Sequence, residues 1–154
     1  MTLRVAPKIW LLSTIAVGSC WSCAAFATLG EPESALKGES QLSAASIKLS
    51  DRGTYRVHEI DLPSGTVVRE YAALDGNVFA VTWHGPFVPN LKQMLGRYFD
   101  EFSAGAKAAR FDHHHVQVNQ SDLVVQSSGH MRAVSGRAYL PQAIPGGVSV
   151  GELE

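Results

Sequence analysis

Four consecutive residues, Asp112-His113-His114-His115, form the part of the sequence whose chemistry is most direct. In an extended segment His113 and His115 lie on the same face, and neutral imidazoles bind zinc, copper or nickel well. A preorganised metal site needs about four ligands held by further hydrogen bonds, and the sequence offers no second cluster at metal-site spacing. We therefore interpret the cluster as a solvated polar loop and expect no cofactor. A metal site at His113 and His115 is the alternative.

The other histidines do not complete a catalytic arrangement. His58, His84 and His130 lie near predicted strands or turns, where a neighbouring carboxylate could orient one of them for acid–base catalysis. The sequence has neither a glycine-rich phosphate loop nor a His-Glu-x-x-His metal motif. Opposite charges on strands are more often ordinary cross-strand contacts than catalytic pairs. We therefore assign no catalytic residue.

Charged and aromatic residues on the predicted strands are the better candidates for binding. Arg69 and Glu70 are adjacent in a strand and so lie on opposite faces, as do Arg132 and Arg137. A charge that faces a core must be paired, so the favoured interpretation is a structural ion pair that fixes strand register. The alternative is a recognition patch, because Arg, Trp and Tyr are frequent interface anchors. The candidate binding residues are Arg69, Glu70, Trp83, His130, Arg132, Arg137 and Tyr139.

Three strands joined by short turns are predicted to carry the first of these residues. Sequential strands with short connections predict an antiparallel meander. In the first strand the apolar phase slips between Val57 and Ile60, which predicts a bulge near His58 and Glu59. In the third strand Phe79, Val81 and Trp83 are expected to share one face. The three strands cover 55–62, 66–71 and 78–83.

A single amphipathic helix is predicted after the meander. Asn90 is a suitable N-cap, and Gln93 follows three residues later as in a capping box. We expect Gly96 to let the helix approach a strand closely and Gly105 to end it. One apolar stripe recurs at helical spacing and is expected to pack on the sheet. Its members are Leu91, Met94, Leu95, Tyr98, Phe99 and Phe102.

Two further strands are predicted towards the C-terminus. Leu123 to Gln126 forms the fourth strand, and Ser127-Ser128-Gly129 is expected to turn the chain. A long fifth strand follows over 130–140, with a bend at Gly136. The sequence therefore predicts an α+β fold of about five antiparallel strands (β-β-β-α-β-β) packed on one amphipathic helix.

The N-terminus has the pattern of a secretory signal peptide. Arg4 and Lys8 precede an apolar run over 9–18, and Ala25-Phe26-Ala27 is a small-x-small cleavage site. The apolar run is shorter than the roughly 20 residues that a membrane span needs. We therefore expect cleavage after Ala27 and no transmembrane span in the mature form.

The segment Val17-Gly18-Ser19-Cys20 offers a second processing route, because it is similar to a lipobox. Cys20 would then carry a lipid anchor. If cleavage follows Ala27 instead, Cys20 and Cys23 are both removed and the mature domain has no cysteine. Disulfides, thiol catalysis and cysteine zinc sites are then excluded together.

Length and charge limit the remaining classes of function. The 154 residues correspond to about one domain. Residues 28–154 contain 11 basic and 14 acidic residues, and a net charge of −3 argues against nucleic-acid binding. We divide the chain into a signal peptide (1–27), a flexible lead-in (28–51), one α+β domain (52–141) and a loose C-terminal tail (142–154). Within the lead-in, Ala44 to Leu49 is a candidate for an additional short edge strand.

Several stretches of the mature chain resemble the DUF2844 family, a group of exported proteobacterial proteins without an established function. The string Pro-Ser-Gly-Thr-Val-Val-Arg-Glu-Tyr at 63–71 is the most specific of them. The resemblance implies a periplasmic or otherwise exported protein and brings no catalytic residues. The similar stretches are Leu62 to Tyr71, Val78 to Pro86, Leu91 to Phe99, Ser128 to Arg132 and Gly136 to Pro141.

The sequence thus indicates an exported envelope protein, periplasmic or secreted, that acts as a non-enzymatic accessory or binding module. An envelope protein partner would bind the sheet face or edge opposite the helix. A binder of a small ligand or metal is the first alternative, using the helix–sheet groove or the loop of His113 to His115. A small hydrolase with an unrecognised site is the second.

Overall fold

The structure, a computed structural model, describes residues 28–33, 46–108 and 115–153. The expected signal peptide lies outside these ranges, and so do Ala27, Cys20 and His113. Within the described ranges no helix is both long enough and apolar enough to cross a membrane.

Seven strands form a single antiparallel sheet in the order β1-β2-β3-β4-β7-β6-β5. The predicted α+β class with one antiparallel sheet is confirmed, but the sheet has seven strands rather than about five. The two additional strands are β1 and β5, one at each edge. The strands are β1 (Ser46–Asp51), β2 (Tyr55–Asp61), β3 (Val67–Ala73), β4 (Val78–Gly85), β5 (His115–Asn119), β6 (Val124–His130) and β7 (Ala133–Tyr139).

The helical segment between β4 and β5 covers one face of the sheet, which we call the helix face. It consists of α1 (Leu91–Leu95), a 3-10 turn (Gly96–Tyr98) and α2 (Phe99–Ala108). The predicted cap is confirmed, since the Asn90 side chain accepts a hydrogen bond from the Gln93 backbone N–H at 3.3 Å. The whole predicted apolar stripe packs into the core on this face, with Met94 and Leu95 fully buried.

The glycines of this segment have other roles than expected. Gly96 has a φ of 50° and ends α1, and a side chain there would overlap the Thr28 methyl group. Gly105 does not end α2, which continues to Ala108. A Cβ atom at Gly105 would lie 2.6 Å from Cγ1 of Val118, so this glycine lets α2 approach β5.

The predicted bulge near His58 and Glu59 is wrong, because β2 pairs with β3 in unbroken register from Tyr55 to Asp61. The phase slip has another cause: both faces of the sheet are partly apolar. Tyr55 and Val57 contribute to a second core cluster on the face without the helix, and Ile60 contributes to the helix face.

The bulge lies instead between β3 and β4. Tyr71 pairs with Ala80 and the next residue, Ala72, pairs with Val78, so Phe79 is an extra residue in β4. The expectation that Phe79 shares a face with Val81 and Trp83 is therefore wrong. Phe79 packs in the second cluster, where its ring lies 6.0 Å from that of Tyr55.

The predicted turn at Ser127-Ser128-Gly129 is also wrong, since β6 runs on to His130. The turn is the pair Met131-Arg132, and Arg132 has a φ of 63°. Gly136 lies within the regular register of β7, where a side chain would overlap the ring of Trp83. Gly136 therefore leaves space for the Trp83 ring, and it does not bend the strand.

Parts of the expected lead-in and tail are built into the fold. Leu29 is fully buried and its N–H donates to the Met94 carbonyl at 2.9 Å. β1 extends the sheet over 46–51. At the other end of the chain, Leu153 is buried in the second cluster, against which Val148 and Val150 also pack. Apolar residues isolated in polar sequence anchor both segments.

Candidate functional site: a polar cleft on the open sheet face

The sheet face without the helix, which we call the open face, carries two rows that cross all seven strands and are polar except for Val67. Each row follows from strand register, because directly opposed residues share a face. The first row is Lys48, Glu59, Arg69, Thr82, Arg137, Gln126 and Gln117. The second row is Ser46, Asp61, Val67, His84, Ser135, Ser128 and His115.

A half-open cleft of about 370 Å³ lies over the β3-to-β5 part of these rows. The second cluster bounds it through Leu153. None of the described residues that line it is acidic, whereas two are arginines and two are histidines. The open-face side chains of the lining are Val67, Arg69, Thr82, His84, His115, Gln117, Gln126, Ser128, Ser135, Arg137 and Leu153.

The charges on β1 to β3, which we call the paired half of the open face, neutralise one another. Arg69 Nε donates to Glu59 Oε2 at 2.8 Å, and Lys48 Nζ donates to Glu59 Oε1 at 3.1 Å. The Arg69 hydrogen bond, followed by that of Lys48, holds the pKa of Glu59 below its ordinary value. Asp61 accepts a hydrogen bond from the Ser46 hydroxyl, which lowers the pKa of Asp61 in the same way.

Arg137 is held differently, in what we call the cleft half (β4, β7, β6 and β5). Its Nε donates to Oε1 of Gln126 at 2.8 Å, and its Nη1 donates to the Val150 carbonyl at 3.1 Å. Both acceptors are neutral. Among the described residues no carboxylate forms an ion pair with Arg137. The guanidinium is therefore fixed in position while its charge is not neutralised within the described fold.

The structure does not bring all the candidate binding residues together. Arg69 and Arg137 lie on the open face on either side of Thr82, and Tyr139 lies on the same face, packed against the second cluster. Glu70 and Trp83 are buried on the helix face, 0% and 2% exposed. Arg69 and Arg137 therefore share a face with Tyr139 and not with the Trp83 side chain, and the recognition patch stays a prediction.

The remaining two candidates lie at the tip of the β6–β7 hairpin. His130 ends β6 and is exposed, and Arg132 is exposed in the turn. Arg132 lines a shallow hollow with Gly65 and Pro86 at this end of the sheet. Neither residue lines the cleft.

A separate ionic cluster lies on the helix face and involves the N-terminal segment. Glu33 pairs with Arg56 Nη2 at 2.8 Å and with His58 Nε2 at 3.2 Å. His58 is opposite Glu70 in the β2–β3 register. No local sequence pattern predicts this cluster, because Glu33 lies far from β2 along the chain. The cluster therefore ties the N-terminal segment to β2 through Glu33.

The alternative of a metal site involves the described residue His115. His115 is exposed on β5 at the rim of the cleft, and the described ranges contain no group of three or more His, Cys, Asp or Glu residues placed to hold a metal ion.

The hydrolase alternative concerns the pattern Gly-x-Ser-x-Gly, which occurs at 147–151. In hydrolases that serine lies on a sharp strand-to-helix turn. Here Ser149 follows a loop and its Oγ accepts from the Gly151 N–H at 3.3 Å, which caps a 3-10 turn.

Sequence reasoning missed most of the uncharged lining of the cleft. Thr82, Gln126 and Ser135 are ordinary alternating polar positions in strands, and Gln117 belongs to a strand that was not predicted. The signal that finds them is register, because each lies opposite another polar residue. A single sequence does not reveal that β4 pairs with β7.

Comparison with known proteins places the chain in a family without assigning a role to the cleft. The model of the DUF2844 family, described as a protein of unknown function, matches residues 25–153. No curated protein and no solved structure matches the chain. The family match covers most of the sequence and includes all of the described strands and helices. The chain therefore belongs to the DUF2844 family.

Proposed function

We propose that this protein is exported to the bacterial envelope and acts there as a non-enzymatic binding module whose ligand or partner occupies the cleft on the open face. Export is supported by the N-terminal pattern of charge, apolar run and Ala25-Phe26-Ala27. An exported module of this kind would be periplasmic or secreted, and lipid-anchored if Cys20 is processed instead.

The observation that carries the binding proposal is the polar cleft itself. An antiparallel sheet commonly exposes one face to solvent, but here the cleft half of that face forms a concave site with Arg137 fixed by two neutral acceptors. Concave sites with a few oriented polar groups are the usual location of ligand binding. The side chains of the cleft can orient a ligand through hydrogen bonds.

Site-specific photo-crosslinking in the expressing bacterium tests the location. A photoreactive amino acid at Gln117, on the open face, should give a defined cross-linked product from the envelope fraction. The same group at Lys92, exposed on α1, is the matched control and should give none. Equal products at both positions, or none at Gln117, would contradict binding at the cleft.

Mass spectrometry of the purified protein tests export separately. The expected N-terminus is Thr28, and a diacylglyceryl-modified Cys20 would identify the lipoprotein route instead. An intact Met1 in the envelope fraction would contradict both. Calorimetric titration with zinc and copper tests the alternative metal site at His113 and His115.

A further inference from the structure

We propose that the cleft binds an acidic sugar, meaning a sugar ring with one carboxylate and several hydroxyl groups, and that Arg137 anchors the carboxylate. This inference rests on the proposed function and names the ligand class of the same site. It starts from the one charge in the cleft half that the described fold does not neutralise.

The charge and fixation of Arg137 select for a single anionic group. A guanidinium is planar and presents its donors in a rigid fork that matches a carboxylate. Its Nε and Nη1 are already held by Gln126 and the Val150 carbonyl, so the group is oriented before any ligand arrives. The other cation of the lining, Arg69, has Glu59 at 2.8 Å. A single cation that no described carboxylate neutralises suits a ligand with one negative charge better than it suits a polyphosphate.

The rest of the lining suits hydroxyl groups. Gln117 and Gln126 can both donate and accept, and the hydroxyls of Thr82, Ser128 and Ser135 can do the same. Sugar hydroxyls also donate and accept, so they can satisfy such a surface in several orientations. A simple aliphatic carboxylate would leave most of these polar groups with water alone.

The position and size of the cleft favour a short sugar over a peptide. Peptides that add to a sheet use the unpaired backbone groups of an edge strand. The floor of the cleft is formed mainly by β4, β7 and β6, each of which has strand partners on both sides. A volume of about 370 Å³ lies at the lower end of the range for small-molecule sites. One or two sugar rings are therefore the expected occupant.

Isothermal titration of the purified protein with acidic sugar dimers tests this inference. Dimers in which one ring is glucuronate, galacturonate or mannuronate and the other is an uncharged hexose are the probes, and the methyl ester of each is its uncharged control. We expect at least one acid to bind and its ester to bind at least about tenfold more weakly, since hydrogen bonds to charged groups are the strong ones.

Two variants locate the anchor. Arg137→Gln should weaken binding of the acid by at least about tenfold, whereas Arg97→Gln, exposed in the 3-10 turn of the helical segment and outside the cleft, should not. Gln126→Glu supplies a carboxylate to Arg137 without removing it, and should weaken binding as well. Circular dichroism confirms that each variant is folded, so Gln126→Glu keeps the test valid if Arg137→Gln unfolds.

The outcomes separate this inference from the proposed function. If no acid binds at millimolar concentration, or if ester and acid bind equally, the acidic-sugar inference is overturned. A specific cross-link at Gln117 would still support a binding module in that case. If the acids bind but Arg97→Gln weakens their binding as much as Arg137→Gln does, Arg137 is not the anchor and the inference also fails.

Discussion

The two halves of the open face use the same residue type in opposite ways. Arg69 and Arg137 lie on either side of Thr82 in one row. The next residue outward is Glu59 on one side and Gln126 on the other, at the same hydrogen-bond distance of 2.8 Å. A single carboxylate-to-amide difference therefore separates an arginine paired with a carboxylate from one that is held by neutral acceptors among the described residues.

The surroundings of the two arginines show the same contrast. The paired half borders a hollow of about 650 Å³ whose lining contains both signs of charge, including Lys48, Arg52 and Glu152. The cleft half has no acidic residue in its described lining. A surface whose charges neutralise one another needs no ligand to balance them, whereas a surface with one sign of charge favours a ligand of the opposite sign.

The largest expected effect comes from Gly136, which lies in β7 beneath the cleft and packs against Trp83. Gly136→Ala would place a methyl group against the Trp83 ring and 2.8 Å from the Gln126 carbonyl oxygen. Because overpacking a core costs about 1–3 kcal/mol, the free energy of unfolding should fall by that amount. Urea unfolding followed by tryptophan fluorescence measures it.

Gly146→Ala is the matched control, since no atom lies within 4 Å of a Cβ built there and Gly146 does not have positive φ. Its unfolding midpoint should stay close to that of the original chain. Equal destabilisation by the two substitutions would show that Trp83 does not pack over Gly136 in solution.

The next effect tests whether one residue can convert the paired half into the cleft half. Glu59→Gln gives Arg69 a neutral partner, as Gln126 is for Arg137. Exposed ion pairs contribute little, so the free energy of unfolding should fall by less than about 1 kcal/mol. Titration should show tighter binding of an acidic sugar dimer. Weaker binding would mean that Glu59 itself contacts the ligand.

Local sequence patterns predicted correctly the elements that bury only one face. The helix stripe from Leu91 to Phe102 is a clear signal because the residues between its members are exposed or half-buried. The β2 pattern misled because Tyr55 and Val57 are buried on one face and Ile60 on the other. A strand buried on both faces has no simple alternation, so the slip resembled a bulge.

Long-range pairing explains the other misses. β1 has only exposed or half-buried residues and belongs to the sheet through its pairing with β2, including Lys48 opposite Glu59. The arginines of the cleft could be chosen from their type, but their partners could not. Whether Arg69 or Arg137 is neutralised depends on register with strands 10 or more residues away, which no local pattern encodes.

Lowering the pH should weaken the ion pairs of the paired half before it affects the interactions of the cleft half. Glu59 and Asp61 have pKa values below their ordinary 4.5 and 3.8, so their stabilising effect is complete above those values and is lost as pH falls through the lowered folded-state pKa. The urea midpoint should therefore fall between about pH 5 and pH 3. Glu59→Gln should reduce this fall, and an unchanged pH dependence in that variant would contradict a stabilising role for Glu59.

The smallest expected effect distinguishes the two cations that hold Glu59. The hydrogen bond from Arg69 is the main cause of the lowered pKa of Glu59, and that from Lys48 comes second, in keeping with 2.8 Å against 3.1 Å and with the greater exposure of Lys48. In an NMR titration, Arg69→Gln should therefore raise the pKa of Glu59 more than Lys48→Gln does. The pKa of Asp75, which is lowered by the Asn77 backbone N–H at 2.9 Å, should stay constant in both variants and serves as the internal control. A larger shift from Lys48→Gln would mean that Arg69 is not committed to Glu59, and the contrast between the two arginines would then disappear.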